Sequence, residues 1–109
     1  MSKPDNLQGA LELLVLKILR RGPQHGFAIS TFIRQSSDDV LRVEAGSLYP
    51  ALHRMTEAGL LKAAWRTSDA GRRARYYELT AKGRRTLDAS EKKWHTISAA
   101  VARVLRASS

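Results

Sequence analysis

The last third of the sequence constrains the fold most. Leu87, Trp94 and Val101 recur every seven residues, and Ser90, Ile97 and Val104 occupy a second heptad position between them. With Thr80 as N-cap, a helix runs to about Arg106, roughly 27 residues or about 40 Å at about 1.5 Å per residue. The remaining stretch of about 80 residues makes a body only about 30 Å across. The helix therefore outgrows its domain and carries a seam that calls for a second helix, so a homodimer is expected. The division that follows is a folded body over 1–80 and a dimerisation helix over 81–109.

One body is all that the composition allows. A chain of 109 residues, 43% hydrophobic and 27% charged, builds a single modest core and leaves no room for a second full domain. No apolar run approaches the roughly 18 residues of a membrane span. The opening residues Met1 to Asn6 lack a basic stretch followed by an apolar region, so no secretory signal is read and the cytoplasm is the expected location. The absence of cysteine excludes disulfides and thiolate metal sites. The net charge of +9 attracts polyanions, and nucleic acid becomes the leading partner. Residues 62–85 concentrate that charge, with eight basic side chains against Asp69 and Glu78. A solvated basic face is the plainer explanation of such a run, but its position beside a hairpin favours binding.

Upstream of the long helix the periodicities give three shorter ones. Leu7, Leu11, Leu14, Val15 and Ile18 form one stripe of a first helix from Asn6 to Arg20, with Asp5 or Asn6 as N-cap and Gly22-Pro23 as stop. Leu13 and Leu16 point away from that stripe and are expected to join the dimer seam. Phe27, Ile29, Phe32 and Ile33 mark a second amphipathic helix that His25 opens, and Val40 to Val43 is β-branched enough for one small strand. A third helix starts between Glu44 and Ser47, buries Leu48, Leu52 and Met55, and stops at Gly59. Pro50 favours a cap near Ser47 or a local kink, because proline has no amide proton for an interior turn.

Leu60 to Arg66 and Arg73 to Leu79 read as two strands, and Thr67 to Gly71 as the turn between them. Three helices followed by an arginine-tipped ribbon give the order of a winged helix-turn-helix, a mainly α (α+β) fold whose third helix enters the major groove while the wing grips the backbone.

The string Gly46-Ser47-Leu48-Tyr49-Pro50-Ala51-Leu52-His53-Arg54-Met55, with His25-Gly26-Phe27-Ala28-Ile29 before it and Arg72 to Gly83 after it, resembles the PadR family of bacterial transcriptional regulators. The likeness covers nearly the whole chain and matches the short branch with a single C-terminal helix. Phe27 stands where tyrosine is common, and Met55 where leucine is common. The resemblance implies a dimeric winged-helix repressor, often released from DNA by a small molecule.

On the third helix, Ser47, Tyr49, His53 and Arg54 offer donors to phosphates or base edges, and Pro50 shares their outward face. Arg54 could instead pair with Glu57 or Glu44, and Tyr49 could cap the helix packing. Arg72 and Arg73 at the hairpin tip are expected on the DNA backbone or in the minor groove, with Arg75 beside them; Arg75 and Lys62 have a second role in pairing across the ribbon with Glu78. The seam residues are Leu13, Leu16, Leu87, Trp94, Ile97, Val101 and Val104. Trp94 is either a core filler of that seam or one wall of a site for a small aromatic effector, which the resemblance supports.

His25, His53 and His95 are too scattered to hold zinc, so neither metal nor cofactor is expected. Nucleophile, phosphate-loop and dinucleotide motifs are absent, which argues against an enzyme. The leading reading is a sequence-specific DNA-binding regulator on a pseudo-palindromic site. The alternative is a winged-helix interaction module that binds protein or nucleic acid without sequence preference.

Overall fold

The computed structural model describes residues 10–108. Its elements run α1 (Leu11–Leu19), β1 (Gln24–His25), α2 (Gly26–Ser36), α3 (Ala45–Glu57), β2 (Leu61–Thr67), β3 (Arg73–Leu79) and α4 (Ala81–Ala107). The three strands form one antiparallel sheet in the order β1-β3-β2. This is a winged helix-turn-helix with a long C-terminal helix. Leu7 and the caps expected at Asp5 and Asn6 lie outside the described residues.

The core is apolar, and α1 lies through its middle. Val15, Leu16, Ile18 and Leu19 are buried together with Ile29 and Ile33 of α2, Leu48, Leu52 and Met55 of α3, and Leu61, Tyr77 and Leu79 of the sheet. Leu87 of α4 joins the same cluster. This corrects two of the expected seam residues. Leu16 and Leu87 are 2% and 1% exposed within a single chain and have no surface left for a partner. Periodicity identified a second apolar side of α1, but its cover is α4 of the same chain. Leu13 is partly buried against that core.

Two local expectations also change. Val40 to Val43 is not a strand; it is irregular chain, with Leu41 and Val43 packed against the core. Asp38 and Asp39 adopt φ of 51° and 66°, which turn the backbone away after α2, and Ser37 anchors the loop by accepting the Leu41 amide at 2.9 Å. The third strand of the sheet is instead β1, two residues whose extended form comes from pairing Gln24 with Tyr77 and His25 with Tyr76. The cap of α3 is Glu44 rather than Ser47: the Ser47 and Leu48 amides both donate to the Glu44 carbonyl at 2.9 Å. Pro50 therefore stands inside the helix, where it withdraws the amide that would reach Gly46.

The ends of the other elements are fixed by short-range chemistry. His25 Nδ1 accepts the Ala28 amide at 3.1 Å and so opens α2. Gly59 closes α3 at φ +79°, with Leu60 N donating to Met55 O and Gly59 N to Thr56 O, the paired bonds of a Schellman stop. Thr80 then caps α4 by accepting the Gly83 amide at 3.0 Å, while its hydroxyl donates to Gly59 O at 2.6 Å. One threonine thus ties the end of α3 to the start of α4.

Candidate nucleic-acid interface

The outward face of α3 follows from its buried face. Leu48, Ala51, Leu52 and Met55 turn inward, which leaves Tyr49, Pro50, His53 and Arg54 exposed and Ser47 half-buried. Tyr49 takes the packing role considered for it and stays open to solvent. It is 48% exposed, yet its ring rests on the start of α2: a Cβ added at Gly26 would lie 2.7 Å from Tyr49 Cε1. Glycine at position 26 is thus the seat of the tyrosine. His53 Nε2 stands 3.6 Å from Glu57 on the solvent side. Arg54 pairs with neither Glu57 nor Glu44; its guanidinium lies 3.7 Å from Glu12 of α1, in a pair exposed on both sides. Such a pair is worth little in water and can open for a phosphate.

The ribbon carries the denser charge. Its tip turns at Gly71, φ +80°, closed by Gly71 N to Ser68 O at 2.9 Å and Ser68 N to Arg72 O at 2.7 Å. Arg72 and Arg73 are fully outside the core. Arg72 has neither ion pair nor ring contact among the described residues. Arg73 lies 5.8 Å over the Trp65 ring, Arg66 lies 4.6 Å over Tyr76, and Arg75 lies 6.0 Å over Tyr77. Lys62 meets Glu78 at 3.6 Å across the ribbon, as expected, whereas Arg75 does not. Burial pushes the Tyr77 hydroxyl above its ordinary pKa, and the neighbouring Arg75 charge opposes that shift.

Sequence reasoning missed Trp65, which is 60% exposed. The signal was present: Leu61, Ala63 and Trp65 share one face of β2, opposite Leu79, Tyr77 and Arg75. The tryptophan continues the core face past the point where the core ends. A flat indole under an arginine attracts that guanidinium without neutralising its charge.

Beyond Leu87 the long helix is bare along one side. Trp94, Ile97, Val101 and Val104 are exposed, and Leu105, not singled out from the sequence, extends the strip. At its root α4 is tied to α1 by Lys17 to Glu91 at 3.0 Å and Arg20 to Asp88 at 3.9 Å. The hydrogen bond from Lys17 holds the Glu91 carboxyl below the usual carboxylate range. His95 is exposed, 3.8 Å from Glu91. Among the described residues no cluster of His, Cys, Asp or Glu has the number needed to hold a metal, and no helix is long and apolar enough to cross a membrane.

Comparison with known proteins bears on this geometry. Residues 15–89 match the model of the transcriptional regulator PadR-like family. A PadR-like transcriptional regulator of Bacillus cereus is 30% identical, with 91% of this chain and 94% of the other covered at a TM-score of 0.79. A PadR family regulator of Eggerthella lenta is 33% identical, with 90% and 83% covered at 0.73. An uncharacterised protein of Lysinibacillus sphaericus is 22% identical over 94 residues, 86% of each chain.

Proposed function

Because the chain belongs to the PadR-like family of transcriptional regulators, we propose that this DNA-binding regulator is a repressor acting as a two-fold symmetric homodimer on a pseudo-palindromic site. Residues 1–80 form the reading head and 81–109 the dimerisation helix. Ser47, Tyr49, Pro50, His53 and Arg54 enter the major groove, and Arg72, Arg73 and Arg75 hold the flanking backbone. The exposed arginine-tipped ribbon carries this reading, since it has cations in number and no core to explain them.

The dimer rests on the bare strip Trp94, Ile97, Val101 and Val104, with Leu13 at its margin. Paired heads place their recognition helices about 34 Å apart, one turn of the duplex. Trp94 lies where two such helices meet, and a small aromatic effector stacked there releases the repressor by shifting the pairing.

Selection of bound duplexes from random DNA tests the proposal. The expected result is a palindrome bound about 10³-fold or more tightly than its scrambled form. Equal affinity for both would leave a module without sequence preference in its place.

A further inference from the structure

Tyr49 and the arginines of the ribbon face outward, but what holds them lies one layer behind. Gly26 is buried, and the Tyr49 ring fills the space where its side chain would stand. The residue before it, His25, is half-buried and makes three connections at once. Its Nδ1 accepts the Ala28 amide at 3.1 Å and so starts α2, its backbone pairs with Tyr76 of β3, and its ring meets the Tyr76 ring edge-on at 5.2 Å. Tyr76 in turn carries Arg66 of β2 at 4.6 Å over its ring. One imidazole therefore stands between the recognition helix and the wing.

The first of these connections exists in one protonation state only. An imidazole that accepts at Nδ1 keeps its proton on Nε2; with both nitrogens protonated both are donors, and the Ala28 amide has no acceptor left. The cation would also stand at the N-terminus of α2, the positive end of that helix. The charged and titratable groups around it are Arg21 of α1, which lines a cleft with it, Tyr49 of α3, Tyr76 of β3 and Arg66 of β2. Glu78, two residues along β3 on the same face as Tyr76, is held by Lys62 at 3.6 Å. Among the described residues no carboxylate lies within ion-pair distance of His25. Histidine is the side chain that ordinarily exchanges its proton between about pH 5 and 8. We infer that His25 is a positioning residue: its neutral imidazole seats Tyr49 and the wing strand from behind the DNA face, and its protonation frees the start of α2 and unseats them. The consequence for DNA rests on the role proposed for Tyr49; the coupling does not.

A titration from about pH 8 to about pH 5.5 tests this in the full-length protein carrying His53→Gln and His95→Gln, where His25 is the one imidazole left. That interval lies above the range in which Glu91 takes up a proton. Without DNA, ¹⁵N spectra should show Nδ1 bare at the alkaline end, and the Ala28 amide and the Tyr49 and Tyr76 signals should move with the midpoint of the His25 ring. On a labelled duplex at fixed ionic strength, affinity should fall about fivefold over the same interval. With His25→Asn added, whose side chain caps a helix without titrating, affinity should stay level; with His25→Ala it should be low throughout. A fall of equal size in the His25→Asn protein would overturn the inference, as would Tyr49 signals that stay still while the His25 ring titrates. Tyr49 signals that follow His25 beside a level or rising duplex affinity would support the coupling and take Tyr49 out of the DNA face.

Discussion

Position 83 shows how one hydrogen atom in place of a methyl group can set a junction. Alanine in a helix is ordinarily better than glycine by about 1 kcal/mol. Here a Cβ would lie 2.2 Å from the Leu60 carbonyl oxygen and 2.9 Å from Leu79 Cδ2, and a backbone oxygen cannot step aside as a flexible side chain can. The clash reverses the usual sign. Gly83→Ala should destabilise the protein by about 1–3 kcal/mol, read as a lower urea midpoint at unchanged slope; a midpoint above the parent's would contradict the packing. Gly26→Ala contrasts with it, because the obstacle there is the Tyr49 ring. The ring can swing outward, so that variant should keep most of its stability and lose DNA affinity.

At the scale of elements, the joint between α1 and α4 responds to pH. Glu91 has its pKa lowered in the fold, so the Lys17 pair favours the folded state above the usual carboxylate range and is lost as pH falls through the folded value. Glu91→Gln should therefore melt slightly below the parent at pH 7 and coincide with it in acid. Because the pair is open to solvent, high salt should shrink the neutral-pH gap. The wing gives a second test at this scale. Arg72→Ala with Arg73→Ala should weaken binding to every duplex and reduce the salt slope by about one for each lost phosphate contact. An unchanged slope removes the wing from the DNA interface.

How far these elements were legible depended on where their cause lies. The long helix, its threonine cap and the two ribbon strands were written locally, in a heptad, a hydroxyl and a turn. The two-residue strand was not, because Gln24 and His25 are extended only through their bonds to β3. Val40 to Val43 failed in the opposite way: the segment pairs with no strand, and Leu41 and Val43 are packed against the core from irregular chain. Of the candidate site, the outward face of α3 and the arginines were evident from pattern and charge. Leu16 went astray because a helical stripe reports that something covers it and not which chain does. Trp65 was passed over because alternation does not reveal where a core stops.

The whole molecule measures 53 × 29 × 28 Å, and α4 alone, 27 residues, spans about 40 Å. The exposed strip on that helix decides the assembly proposed. Ile97 is 47% exposed in the single chain, so Ile97→Lys leaves the fold intact while placing two like charges in the paired state. Sedimentation should then show monomers with normal circular dichroism and poor affinity for the palindrome. A stable dimer of that variant would refute the seam.

A rod of about 40 Å hinged at one end multiplies angles: a swing of about 10° at the root moves the far tip by about 7 Å, two base-pair steps. At the root of that rod Gly83 is pressed on the Leu60 carbonyl, to which the Thr80 hydroxyl also donates. In the dimer proposed, the spacing of the two heads along a duplex is therefore set at this junction, where a single added carbon alters it without touching a base.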